Sequence, residues 1–227
     1  AYIKGEKFDF VANVNSDNFP AKKEAWMGSN EAGFALMNTQ SFNLVKGDIA
    51  DDDRGPANGE VIYRALEVCA TVADFCHFLD TIQKPSGIEA NFGVIDTEGN
   101  GAYFETNNYT YKEYNLADTK DGILIRTNYS HSGRVDDDGM GYIREQNMKE
   151  LVVSHLKKKD FTPATFTEDF SRRFYHSLLE KDYTNSGEKW IIDQDFIPRR
   201  SSTATTVIEG VKPGENPLLT TMWIGIG

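Results

Sequence analysis

Cysteine is nearly absent, with two residues, Cys69 and Cys76, in a chain of 227. They stand seven apart in a stretch with helical periodicity, which separates them by about 10 Å along an unbroken helix axis. A disulfide needs Cα atoms within about 7 Å, so the pair reads as free, buried thiols rather than a staple. Positive charge is also scarce: 24 Lys and Arg face 35 Asp and Glu, for a formal net charge of −11. The one basic cluster, Lys157 to Lys159, reads as a solvated helix end. That balance excludes a broad basic surface replacing phosphate counterions, so neither nucleic acid nor a membrane is an expected partner. No apolar run reaches the length of a membrane span, and the first residues, AYIKGEKFDF, lack the charged-then-apolar order of a signal peptide.

The common catalytic signatures are missing as well. There is no GxSxG elbow, no HExxH helix and no GxxxxGK[ST] loop, and the residues imply no cofactor and no metal. Acidic triplets at Asp51–Asp53 and Asp136–Asp138 do not fit the EF-hand spacing and read as solvated loops. His77, His155 and His176 fall in helical patterns, and His131 alone sits in a polar loop, RTNYSHSG, where sites gather. Asn108-Tyr109-Thr110 and Asn128-Tyr129-Ser130 match the glycosylation sequon, a pattern common by chance.

What is present is a chain long enough to bury roughly 70% of its unfolded surface in one domain. Residues 1–14 read as a hairpin around a Lys-Gly-Glu-Lys turn and 15–24 as loop. Trp26 and Met27 end a strand, Gly28 to Gly33 make a turn, and Phe34 to Asn38 form a strand covered on both faces, since its apolar run does not alternate. Residues 60–69 have helical spacing, and Thr71 with Asp74 makes a capping box opening a second helix that ends before Pro85 and Gly87.

NFGVI, AYFET, YTYKEYN and GILIRTN follow as strands of an antiparallel meander. Residues 142–155 and 166–179 are expected as helices, and 202–209 and 219–226 as a closing strand pair. Strands and grouped helices in this order predict an α+β layered domain. Both ends, AYIK and TTMWIGIG, lie in strand-like sequence, so the chain is expected to be part of a longer or cut protein.

Asparagines at the ends of apolar strands stand out. Asn38 follows FALM and Asn128 follows ILIRT. A buried amide needs partners or costs about 1–3 kcal/mol, so such residues either form a structural network or aim donors at a ligand, as in an oxyanion site. Arg199 and Arg200 precede the late strand, where one guanidinium could bind a carboxylate or polarise a nucleophile.

GSNEAGFALMN resembles the Gly-x-Asn-Glu-x-Gly motif of N-terminal nucleophile hydrolases of the penicillin V acylase and choloylglycine (bile salt) hydrolase type. It resembles still more closely the relatives grouped with acyl-CoA:6-aminopenicillanic acid acyltransferase. EANFGVIDTEGNGAYFETNNYTYKEYN, LIRTNYS and PRRSSTATTVIEG followed by TTMWIGIG resemble later segments of the same family in the same order, from about Trp26 to the end.

The resemblance implies a single domain over residues 1–227, a four-layer αββα sandwich of two antiparallel sheets flanked by helices, cut at both ends. It implies hydrolysis of linear amide C–N bonds, or acyl transfer, on a small acylated amine or amino acid. The nucleophile would be a cysteine exposed by autoproteolysis, with its own α-amino group as base. Asn128 matches the family's oxyanion asparagine, Asn38 falls near a second contributor, and Arg199 or Arg200 matches a late arginine near the nucleophile.

The departure is at the start, where Ala1 stands and no N-terminal cysteine exists. Either the nucleophile strand lies upstream, or Ala1 occupies the nucleophile position and Asn15-Ser16-Asp17 stands for the family's Asn-x-Asp. Val14 in place of the expected arginine favours the first. Either way this polypeptide is expected to be inactive alone, with a second fragment of the precursor or another copy of the chain as a partner. The competing expectation is a non-catalytic binding or structural domain of the same fold. Compartment stays open, the nearest fit being an exported periplasmic bacterial protein with its signal removed. The polar, acidic loops at 15–24 and 130–141 favour an amine-bearing substrate over a fatty one.

Overall fold

Seven sequential strands make one antiparallel sheet in the computed structural model, which describes residues 1–49, 58–135 and 141–226. The strands are β1 (Tyr2–Ile3), β2 (Phe10–Asn13), β3 (Met27–Asn30), β4 (Ala35–Gln40), β5 (Ala90–Ile95), β6 (Gly101–Thr106) and β7 (Tyr111–Asn115), each paired with the next in chain order. Between β4 and β5 the chain makes the helices α1 (Asn58–Val68) and α2 (Val72–Thr81). After β7 come α3 (Tyr142–Lys158), a π-helical turn at Thr165–Phe170, the short pair β8 (Tyr175–His176) and β9 (Lys181–Asp182), and the hairpin β10 (Ala204–Glu209) and β11 (Thr221–Ile226). The molecule is therefore α+β with antiparallel sheets. Both acidic triplets lie outside the described residues.

Residues directly opposite across antiparallel strands share a face, which divides the sheet into two chemistries. On one face Leu36, Val94 and Ala102 are in register, as are Asn38, Phe92 and Phe104. This face meets α1 and α2: Phe75 of α2 packs edge-on against Phe92 and Phe104, with ring centroids 5.7 and 5.2 Å apart. Ile62, Leu66 and Leu79 complete this fully buried core. Each such side chain contributes about 1.5–3 kcal/mol by burial, and each edge-to-face pair about 0.5–1.5 kcal/mol more. The α2 start is fixed as the sequence predicts: Asp74 N donates to Thr71 Oγ1 at 3.0 Å and Thr71 N donates to the Asp74 carboxylate at 3.1 Å. On the opposite face Met37, Gly93 and Tyr103 lie in one row, and Thr39, Asn91 and Glu105 in the next.

Several sequence expectations are corrected. Gly28 is not in a turn but in β3, opposite Ala12 and Leu36. It is glycine because a Cβ there would lie 2.4 Å from the Val11 carbonyl and 2.9 Å from a Leu66 methyl, so α1 and β2 approach where a side chain would stand. The turn is confined to residues 31–33, with Gly33 at φ +78. The strand beginning at Phe34 is not covered on both faces, since Met37 is 39% exposed.

Residues 166–179 do not form one continuous helix. The π-helical turn ends at Phe170, where Phe161, Phe166 and Phe170 cluster on His155, and His176 lies in β8. Residues 122–128 join no ladder among the described strands. They cross the sheet instead, tied by Arg126 on Glu105, by the Thr39 and Asn91 side chains on the Thr127 carbonyl, and by the Phe42 N–H on the Asn128 carbonyl. Cys69 is buried at the end of α1 and Cys76 is half-buried in α2; both are free. Among the described residues no helix is long and apolar enough to cross a membrane.

Candidate functional site

The polar row Thr39, Asn91 and Glu105 lies under residues 126–132, and together they make a connected buried network. The Arg126 Nε donates to Glu105 Oε1 at 2.6 Å, and Ser132 N donates to the other Glu105 oxygen at 2.6 Å. Thr39 Oγ1 and the Asn91 amide both donate to the Thr127 carbonyl, at 2.5 and 3.1 Å. Ser130 Oγ donates to Asn91 Oδ1 at 2.7 Å and meets Ser41 Oγ at 2.5 Å, while Asn43 holds the Ser130 backbone at both its N–H and C=O. In the low-dielectric interior such bonds reinforce one another and fix the crossing segment.

Asn128 is the outward-facing member of that segment. Its Nδ2 donates to the Gln40 carbonyl at 2.8 Å and its Oδ1 accepts from the Arg144 guanidinium at 2.5 Å. Gln40 is the last residue of β4, so Asn128 sits at the end of a central strand without belonging to one. Arg144, in the first turn of α3, is 5% exposed and also donates to the Gln194 carbonyl at 3.1 Å. Burial, followed by repulsion from Arg199, pushes the Arg144 guanidinium down to about 10 despite the attraction of Asp195. Next to it in α3, burial raises the Glu145 carboxyl, but hydrogen bonds from His131 (2.8 Å) and Lys149 (2.5 Å) outweigh this and hold it below the usual glutamate range.

Beside this network an open cavity of about 960 Å³ separates the same sheet face from α3. Met37, Tyr103, Ile125, Met148 and Phe166 line it, with Arg126 and Thr206 as polar points on the wall. Among the described residues no group of three or more His, Cys, Asp or Glu is placed to hold a metal ion.

The expected site residues separate into two groups. Asn128 and Arg199 are brought toward Arg144. Arg199 has its Nε buried without a hydrogen-bond partner. Arg200 is exposed, its backbone N–H tied to Asp193, and takes no part. Asn38 is in register with Phe92 and Phe104 and so faces the helices, away from Asn128; Thr39 next to it faces the site. Ala1 is also apart. Its ammonium, just before edge strand β1, donates to the Ala12 carbonyl of β2 at 2.8 Å, and β1 lies about 14 Å across the sheet from β4 at normal strand spacing.

His131 lies at the margin through Glu145. Neither sequon asparagine is free: Asn108 is fully buried and hydrogen-bonded, and Asn128 is engaged at both ends. Sequence reasoning missed Asn91, Glu105, Arg126 and Arg144. The first two carried a usable signal, being polar residues inside the apolar strands NFGVI and AYFET.

No protein-family model and no curated protein matches the sequence. Among solved structures, penicillin V acylase from Agrobacterium tumefaciens is similar at 18% identity over 48% of this chain and 33% of that one, with a TM-score of 0.33. A mutant of conjugated bile acid hydrolase from Clostridium perfringens is similar at 15% identity over 51% of this chain and 37% of that one, with a TM-score of 0.36. Both are N-terminal nucleophile hydrolases, the family whose motifs the sequence resembles. The chain spans about a third of the length of each, and an overlap this partial does not bear on chemistry.

Proposed function

We propose that this chain is part of an amide hydrolase or acyltransferase of the N-terminal nucleophile type, built as a four-layer αββα sandwich. Asn128 is its oxyanion donor. The observation that carries this reading is the state of the Asn128 carboxamide. An asparagine has two amide N–H donors and one acceptor oxygen. Here Oδ1 is held by Arg144 and one donor by Gln40, which fixes the plane of the group and leaves the second N–H to meet charge developing on a carbonyl oxygen. The buried Arg126–Glu105 and Asn91–Ser130 bonds hold the segment still, so little reorganisation is needed when that charge forms.

In this reading the nucleophile is a cysteine preceding Ala1 in the precursor, and the acyl group of the substrate faces the apolar cavity. Neither cysteine of the chain suits the role: burial pushes the Cys69 thiol up to about 12, and Cys76 Sγ lies 3.2 Å from the Tyr111 hydroxyl under α2. That same observation favours the second reading, a binding domain without catalysis. The deciding experiment treats protein bearing its native N-terminus with N-acylated amino acids and follows release of free amine. Turnover that is abolished by a thiol alkylating reagent supports the hydrolase. Absence of turnover, with ligand binding retained, supports the binding domain.

A further inference from the structure

His155 stands in the last turn of α3 with a carboxylate on each ring nitrogen: Asp160 lies 2.7 Å from Nδ1 and Asp169 lies 2.9 Å from Nε2. Asp160 belongs to the link that follows α3, and Asp169 to the π-helical turn Thr165–Phe170. The link and the turn form one unit, since Thr165 Oγ1 donates to the Asp160 carbonyl at 3.1 Å and accepts from Thr162 N at 3.1 Å. The imidazole also meets the rings that this unit carries, Phe170 edge-on at 5.2 Å and Phe161 at 5.8 Å, with Phe166 packed on both of them. Phe161, Phe166 and Phe170 are a wall of the apolar cavity between the sheet and α3. A titratable side chain therefore fastens that wall, and no histidine among the described residues lines the cavity itself.

A charged imidazole has two N–H donors and serves both carboxylates, whereas a neutral one has a single donor. After loss of the proton, one carboxylate faces a ring lone pair instead of an N–H, and one of the two ties is gone. The surrounding charges act in the same direction. Arg173 donates to Asp169 at 3.2 Å and to Asp182 of β9 at 2.8 Å, so the charged His155 and Arg173 together face Asp160, Asp169 and Asp182, and after deprotonation Arg173 faces them alone. Glu168 and Arg172 of the same cleft, and Lys157 to Lys159 at the helix end, complete the charges around it. The C-terminal end of α3, where the His155 carbonyl accepts from Lys159 N at 2.7 Å, favours a cation as well. The bonds to Asp169 and then Asp160 hold the imidazole above the usual histidine value, so both ties are present in mildly acid solution and one is lost as pH rises through the folded value.

We propose that His155 is a proton-operated latch on the apolar cavity. Its charged form pins residues 160–170, and with them the wall of Phe161, Phe166 and Phe170, onto α3. Its neutral form releases them, and a wall that is no longer held in place binds less well because its rings must be ordered by the ligand. The cavity therefore holds an apolar ligand more tightly in mildly acid than in mildly alkaline solution. The latch acts on the cavity to which the hydrolase reading assigns the acyl group, but it concerns binding alone and does not rest on that reading.

The test is a fluorescence titration with N-phenyl-1-naphthylamine, an apolar probe that stays neutral, at about pH 5.5 and about pH 8.5, on either side of the ordinary histidine range. The parent is expected to bind it about fivefold or more tightly at the lower pH, the low end of ordinary coupling between two sites. His155→Gln, with no titratable ring, is expected to bind equally at both, near the parent's affinity at the higher pH. Asp160→Asn removes one carboxylate at an exposed position, so that a single donor suffices, and should shrink the dependence. Should His155→Gln fail to fold, Asp160→Asn decides alone. His77→Gln, exposed on α2 across the sheet, should keep the dependence in full. No binding of the probe at either pH, equal affinity of the parent at both, or a His155→Gln protein that retains the preference overturns the latch. Affinity independent of pH in a protein that releases amine removes the latch and leaves the hydrolase reading; tighter binding at the lower pH in a protein that releases none does the reverse.

Discussion

Arg126 and Glu105 form a salt bridge of 2.6 Å with side chains 4% and 0% exposed, joining residues 126–132 to β6. Arg126 also lies over the Tyr114 and Tyr103 rings, 4.5 and 5.5 Å from their centroids. Removing one partner strands a buried charge, whereas removing both does not. Arg126→Leu should therefore cost about 3–5 kcal/mol in urea unfolding, and adding Glu105→Leu should recover much of it. A single variant as stable as the parent would show that this pair does not hold the crossing segment.

Asn30 is expected to matter nearly as much. Its Nδ2 donates to the Leu66 and Cys69 carbonyls at the end of α1, at 2.9 and 2.8 Å, and its Oδ1 accepts from Ala32 and Phe34 N–H. Asn30→Ala leaves these buried backbone groups unpaired and should destabilise by about 2–3 kcal/mol. Calorimetric melting checks this, and a loss below about 0.5 kcal/mol, the size of an ordinary surface substitution, would contradict it.

His155 gives a pH dependence of known sign. Its Nε2 meets Asp169 at 2.9 Å and its Nδ1 meets Asp160 at 2.7 Å, and these bonds raise its pKa above the usual histidine value. Arg173 faces the same cluster through Asp169. A raised folded-state pKa contributes stability in full below about pH 6.5, and this is lost as pH rises through the folded value. The stability gap between the parent and His155→Gln should therefore be wider at about pH 5.5 than at about pH 8.5. Chemical unfolding at the two pH values reads it, and a constant gap would mean that the imidazole is not charged between its carboxylates.

The stretch GSNEAGFALMN separates what the sequence reveals from what it does not. Strand β4, the α2 capping box and the late hairpin are legible because they rest on local rules. Gly28 was misread as a turn because its reason is a contact with Leu66, far along the chain. Asn38 was singled out by the right argument, an amide at a strand end. Which way it faces depends on register with Phe92, and a shift of one residue reverses the face. Asn128 stands out in the sequence as an amide ending an apolar run, whereas nothing in a helical first turn announces that Arg144 reaches it. Residues 122–128 have the composition of a strand, yet the Thr127 carbonyl is taken by the Thr39 and Asn91 side chains rather than by a ladder.

Gly28→Val tests the packing side of that argument. A Cβ would stand 2.4 Å from the Val11 carbonyl and 2.9 Å from Leu66, with backbone unable to yield cheaply. A destabilisation of about 1–3 kcal/mol, or more, is expected in urea unfolding. A neutral substitution would mean that α1 can move off the sheet.

The role of Asn128 is tested most directly by amine release from an N-acyl amino acid, comparing protein bearing its native N-terminus with its Asn128→Ala variant. An oxyanion donor predicts that kcat falls by about 10²–10³ while KM changes little. No release by the parent protein, or an Asn128→Ala variant that turns over as fast as the parent, would contradict the account.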